Sequence, residues 1–382
     1  MHGAVSLYRI GAPLELIENF CKDYAKKNLI CAWPSISISN HTELETFFGK
    51  WDNFGGVRDF LENAAKRATF RKLFLTLLKT QDGFMTSSRA LHPLIHCGWA
   101  LMGDIEEETK RFLFCEAMAY NYCFAYDDVA MFKFDWQETT LGPFEPKKSR
   151  YEAVKLNNDS PLVTEVFIDL IDQLQQDAPK IIEELHRVAD VPPFVNKFGR
   201  FTRRHLACMY HKEFRLRLDT QSLFLIMSLP FDKGATAVGR QIVLCALCLY
   251  TMTEQRNEFF LLHGVTTAYS TLRLLEMVGD TQPDVVSKIA SECVTILFGA
   301  YLSIDDGAPP FIDGAQHGIL LPTAQNDMKC MKRLPHWLLE ANNRSLAGKD
   351  GNPDDFFDEH VYKMLDVACE MWRWPEVEKN TI

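Results

Sequence analysis

The stretch Gly55-Gly56-Val57-Arg58-Asp59-Phe60-Leu61-Glu62-Asn63-Ala64-Ala65-Lys66-Arg67-Ala68 decides the fold class. Its apolar residues Val57, Phe60, Leu61, Ala64 and Ala68 recur at intervals of about three to four, the period that puts side chains on one face of an α-helix. Leu73, Phe74 and Leu77 extend the stripe, so one helical pattern is expected from Gly55 to Leu77. The same period recurs on either side. It runs from Pro13 to Asn28, with proline in the first turn, and from Glu106 to Tyr126, where an acidic start suits the helix dipole. It returns over Leu162–Val188, Phe194–Phe214, Gly239–Thr253, Asn257–Met277 and Val285–Ser303. A last helix is expected from Asp355 to Trp374, capped by Asp354 or Asp355 and stopped by Pro375. Strands do not alternate with these helices, which argues against a parallel sheet. The expected fold is therefore all-α, a single multi-helix domain over residues 1–382.

Two segments break the helical rhythm. Asp127 to Pro161 holds Gly142, Pro143, Pro146 and the turn-like Asn157-Asn158-Asp159-Ser160-Pro161, with a short hairpin expected around Met131 to Trp136. Ile304 to Asn326 is rich in glycine and proline. Long irregular stretches inside a compact domain are often lids or binding loops, and both are lid candidates. His317 in the second is expected to be a loop residue rather than a ligand.

Composition narrows the function classes. Lys plus Arg number 41 against 51 Asp plus Glu, a net charge of -10. An acidic chain is a poor nucleic-acid binder, because such binding displaces counterions with cations. The densest basic group, Arg203, Arg204, His205, His211, Lys212, Arg215 and Arg217, is expected to be a solvated helix face. The eleven cysteines are scattered without framework spacing. Cys245-Ala246-Leu247-Cys248 sits inside an apolar helical run, where thiols pack rather than react. Free buried thiols suit a reducing compartment. No secretory leader follows Met1, and no run reaches about 18 uninterrupted apolar residues. A cytoplasmic protein without a membrane span is the expectation.

Few residues are candidates for chemistry. His92 and His96 are four apart and share a helix face, a spacing at which imidazoles can hold a metal. Pro93 is expected at the first helical position, which would make His92 the cap. Two hydrogen-bonded polar groups at a helix start would read the same way. His263 lies in the apolar run Glu258-Phe259-Phe260-Leu261-Leu262-His263-Gly264-Val265-Thr266-Thr267, where it is either a ligand or a core histidine bonded to a carbonyl. His360 and Lys363 flank the seam Val361, Met364, Leu365 and Ala368, and spacing alone favours a lysine snorkelling at the surface. The chain has no nucleophile elbow, phosphate-binding loop, HExxH or dinucleotide fingerprint. Its aromatic content of 12% is enough to line a flat pocket, although most such rings serve the core.

Taken together, four segments resemble the questin oxidase-like family. Ala90-Leu91-His92-Pro93-Leu94-Ile95-His96-Cys97-Gly98-Trp99-Ala100-Leu101 is similar to its central signature, and Asn40 to Asn63 to the helical region before it. Glu258 to Thr267 is similar to a later FFxxHxVT-type segment, and Asp358-Glu359-His360-Val361-Tyr362-Lys363 to a C-terminal DxHxxK-type segment. The resemblance implies an oxidoreductase that uses dioxygen to oxidise or open the ring of an anthraquinone-type aromatic ketone or quinone. It implies non-haem iron held by His92, His96 and His263, with Lys363 as a further ligand if carboxylated and His360 orienting its neighbour. His2-Gly3-Ala4-Val5-Ser6-Leu7-Tyr8 is similar to a segment that follows an Asn-His pair in the family. In this register the pair would precede Met1, so His2 substitutes for it or the chain is shortened at its N-terminus. Two rivals follow from the same resemblance: a metal-free Baeyer–Villiger-type oxidase using NADPH, and a non-catalytic helical binding protein derived from the family.

Overall fold

A computed structural model describes residues 2–28, 37–80, 91–102, 105–124, 134–141, 163–192, 195, 199–252, 258–304, 359–371 and 374. Among them are fourteen α-helices and no strand, so the fold is all-α as its periodicity requires. The chain divides into two compact units, residues 33–312 and residues 1–32 with 313–382.

The larger unit carries α3 (His41–Glu45), α4 (Phe54–Ala65), α5 (Phe70–Thr80), α6 (His92–Ala100), α7 (Glu107–Cys123), α8 (Val163–Ala189), α9 (Arg200–Tyr210), α10 (Lys212–Ser228), α11 (Ala235–Met252), α12 (Glu258–Val278) and α13 (Pro283–Leu302). At its centre α12 packs against α6, α11 and α13. These helices close by small residues. A Cβ on Gly239 of α11 would stand 2.9 Å from the Leu272 Cα, and one on Gly98 of α6 would stand 2.2 Å from the Ser270 Cα. Ser270 completes the α6–α12 crossing by donating its hydroxyl to the Ile95 carbonyl at 3.1 Å. α13 is long and apolar enough by composition to cross a membrane, yet 72% of that window is buried inside the bundle.

The pattern from Gly55 to Leu77 is two helices rather than one, because the chain turns at Lys66 and Arg67, whose amides bond Glu62 and Ala64 carbonyls. Within α4 the buried stripe is Val57, Leu61 and Ala65, while Phe60 and Ala64 are half-buried. The helix expected from Phe194 to Phe214 is likewise broken. His211 is extended (φ -75°, ψ 123°), ends α9 and starts α10, with its Nδ1 accepting the Glu213 amide at 3.2 Å. α10 then continues to Ser228, a helix that the periodicity of its sequence did not reveal.

Residues 134–141 form no strand, contrary to the hairpin expected there, while residues 131–133 lie outside the described residues. Side chains satisfy this segment's backbone where a ladder would have done so. Glu184 accepts from the Thr140 amide and hydroxyl, Arg187 donates to the Glu138 carbonyl, and the His211 ring bonds the Gln137 carbonyl at 3.0 Å. Most of the first irregular segment and nearly all of the second, His317 included, also lie outside the described residues. So do the cap and stop expected for the last helix.

The basic group from Arg203 to Arg217 is a solvated face only in part: Lys212 is exposed, and Arg215 and Arg217 are half-buried. Arg203, Arg204, His205 and His211 are all buried. Arg203 reaches Asp190 at 2.6 Å, and Arg215 pairs with Asp219 and Glu292 at 2.7 Å each. Buried guanidinium groups are tolerated when carboxylates meet them. The thiols behave as the apolar runs suggest: Cys245, Cys248 and Cys293 are buried, and burial raises Cys293 to about 12 and Cys248 to about 11.

The smaller unit holds α1 (His2–Arg9), α2 (Leu14–Asn28) and α14 (Glu359–Met371). Leu7, Ile10, Leu16, Phe20 and Tyr362 form its apolar cluster. Arg9 ties α1 to α14 through Asp366 at 2.8 Å and Glu370 at 2.5 Å.

Candidate functional site

α6 begins at His92, with Pro93 in its first turn. The cap is Leu91 rather than His92, and Leu91 has left-handed backbone with φ 66°. No other residue type than glycine shares that conformation among the described residues. A leucine there is strained by roughly 1–2 kcal/mol. The strain sits immediately before the histidine pair, and the fully buried Leu91 side chain holds it in place.

The turn presents His92 and His96 half-buried, and the α6–α12 crossing brings them to His263, which is fully buried. The ring centres of His92 and His263 lie 4.8 Å apart at 64°, and those of His92 and His96 lie 6.3 Å apart at 79°. Three histidines singled out by sequence therefore meet, although 167 positions separate His96 from His263.

Aromatic rings border the cluster on two sides. Tyr120 of α7 stacks on His96 at 4.9 Å and 16°, and Phe124 lies 4.3 Å beyond Tyr120. Phe260 lies 6.5 Å from His263 and stacks on Phe201 of α9 at 3.6 Å and 10°. Tyr120, Phe124 and Phe260 are half-buried and give the cluster an aromatic border.

His205, one turn after Phe201, is buried and stacks on that ring at 5.6 Å and 5°. Burial lowers its pKa to about 4, and the nearby Gly299 backbone acts in the opposite direction. No hydrogen bond of ordinary geometry reaches either ring nitrogen among the described residues. The side chain is a neutral flat ring at pH 7. Charge density in the sequence disguised it as a surface residue, although the adjoining Leu206-Ala207-Cys208-Met209 already pointed inward. Tyr120, Phe124, Phe201 and Phe260 carried no distinguishing pattern, since aromatic residues at helical spacing read equally well as core.

The remaining sequence candidates belong to the smaller unit. Lys363 on α14 is fully buried, not a snorkelling surface residue. His360 lies on α14 and His2 on α1, with side chains outside the described residues.

Whether the histidines suit a metal can be tested on spacing. Imidazoles sharing one ion at about 2.1 Å per nitrogen place their ring centres about 5 Å apart when adjacent and about 6.5 Å when opposed. His92–His263 fits the first arrangement and His92–His96 approaches the second. As placed, however, no group of three or more His, Cys, Asp or Glu converges tightly enough to hold a metal among the described residues. The pair fits; the set of three does not close on one point.

Comparison with curated proteins finds none that matches the chain. The sequence model for questin oxidase-like proteins matches residues 1–309, which contain all three clustered histidines and the rings around them. The chain therefore belongs to the questin oxidase-like family, a family of oxidoreductases for anthraquinone-type aromatic substrates.

Proposed function

We propose that the histidine cluster is the active site of an oxygen-dependent oxidoreductase that oxidises or cleaves the ring of a planar aromatic ketone or quinone. One observation carries the reading: His92 and His263, from different helices, meet beside His96 at a half-buried place bordered by Tyr120, Phe124 and Phe260. The apolar rim favours a flat, uncharged ring system and excludes water around it. The imidazoles at its base can donate a ring N–H to a quinone carbonyl, which fixes the ring's orientation. The strained Leu91 holds His92 in that pose without help from the substrate.

Non-haem iron is part of the proposal. His92, His96 and His263 are the donors from the larger unit, and closing them on one ion requires their rings to turn. When bound, ferrous iron would supply the activation of dioxygen.

Metal analysis of the purified chain after anaerobic reconstitution tests this, with iron retained near one per chain as the expected result. His96→Ala should abolish that uptake and leave helicity nearly intact. Iron-free protein after reconstitution, or unfolding of His96→Ala without a separate metal effect, refutes the iron. Product formation coupled to NADPH consumption and indifferent to chelators would replace iron with the nicotinamide chemistry. Failure to turn over any quinone under either regime would favour a binding protein.

A further inference from the structure

Phe260 stands one turn before His263 on α12 and is the half-buried member of a parallel array. Its ring lies 3.6 Å from that of Phe201, with planes 10° apart. Phe201 in turn runs parallel to the His205 imidazole within 5°. The array is held from behind. Phe201 and His205 share one face of α9, and His205 packs so closely on α13 that a Cβ on Gly299 would stand 3.3 Å from its ring.

Three flat groups from two helices thus share one plane direction. Two of them, Phe201 and His205, are enclosed, at 4% and 1% exposed. Ordinary core aromatics prefer offset or edge-on pairs in mixed orientations. A common plane beside a reactive cluster is instead the arrangement that orients another flat ring. Burial keeps His205 uncharged, so the array offers no repulsion to an electron-poor quinone and no charge to attract an anion.

We infer that Phe260 is the stacking face for the fused-ring plane of the substrate, with Phe201 and His205 setting the angle at which that plane meets His263. This rests on the oxidoreductase reading above and adds to it a specificity-determining residue. It predicts discrimination by ring number: a fused three-ring quinone gains from stacking on Phe260, and a single ring held only at the histidines does not.

The test is equilibrium binding, measured calorimetrically on the full chain treated with chelator, so that neither turnover nor metal enters. The probes are 1,8-dihydroxyanthraquinone and 1,4-benzoquinone. Phe260→Leu should weaken the anthraquinone about three- to tenfold, the equivalent of one aromatic pair, and leave benzoquinone within twofold. Phe260→Tyr and Phe260→Trp should bind the anthraquinone at least as tightly as the native chain. Phe112→Leu, an exposed control, should change nothing. A folded Phe260→Leu that binds the anthraquinone normally overturns the inference, as does equal loss of both probes. Should Phe260→Leu fail to fold, weakened anthraquinone binding by a folded Phe260→Trp overturns it equally. A native chain that binds neither quinone sinks this inference and the substrate class together. A native chain that binds the anthraquinone through Phe260 but never oxidises it sinks only the proposed activity.

Discussion

Gly98→Ala is the sharpest perturbation of the site that leaves every functional side chain in place. The added Cβ would lie 2.2 Å from the Ser270 Cα, 2.3 Å from its Cβ and 2.5 Å from its Oγ. Carbon atoms in ordinary contact sit about 3.5–4.0 Å apart, so α6 and α12 must separate by more than about 1 Å. A flexible side chain could swing aside, but the nearest atom is backbone. Overpacking of this kind costs about 1–3 kcal/mol. Separation also stretches the Ser270–Ile95 hydrogen bond, worth about 1 kcal/mol. The expected loss is about 2–4 kcal/mol, seen as a fall of about 4 to 8 °C in the melting temperature by calorimetry or circular dichroism. Quinone binding should fall as well, because the same crossing sets His92 against His263. Adding Ser270→Gly should rescue little. It removes the Cβ and Oγ contacts but leaves the Cα clash and loses the hydrogen bond. A single variant as stable as the native chain, or a fully rescued double variant, would refute the close backbone approach and with it the placement of the three histidines.

His205 should give stability a pH dependence: its folded pKa of about 4 lies below the ordinary 6.5, so the neutral ring is favoured on folding, stability is full above pH 6.5, and up to about 3 kcal/mol is lost as pH falls toward 4. His205→Phe should flatten that acid limb in urea titrations run across this range, and an unchanged slope would show that the ring is not desolvated. Among the nine described cysteines, Cys21 is the exposed one, while burial pushes Cys97, Cys115, Cys123 and Cys208 up to about 12. Mass-mapped alkylation at pH 8 should label Cys21 before the other eight described cysteines, and rapid labelling of those four would contradict their burial. In the smaller unit, burial raises the Asp366 carboxyl and Arg9 counters it. Arg9→Met strands that acid, with a cost of about 3–5 kcal/mol typical of a broken buried pair. Hydrogen exchange over residues 359–371 should quicken markedly, and unchanged protection there would refute the α1–α14 tie.

The all-α architecture was legible because helical periodicity is local: Val57, Leu61 and Ala65 face inward whatever packs on them. Breaks between helices were less legible. The one at His211 depends on a ring that caps α10 and reaches the Gln137 carbonyl, a contact 74 positions away. For the same reason the basic run from Arg203 to Arg217 read wholly as surface: charge predicts exposure until carboxylates from elsewhere, here Asp190 and Glu292, pair with it. The histidines could be named in advance, since His92 and His96 declare their shared face by spacing and His263 is conspicuous in an apolar run. That they meet is a different matter. Their approach is decided by a glycine on α6 that admits the backbone of α12, and the aromatic rim comes from α7, α9 and α12 together. Sequence by itself determined which residues could do chemistry and on what kind of element they sit. Only the tertiary structure decided which of them share a site, because close approach depends on the volume left at a helix crossing, a property of two segments at once.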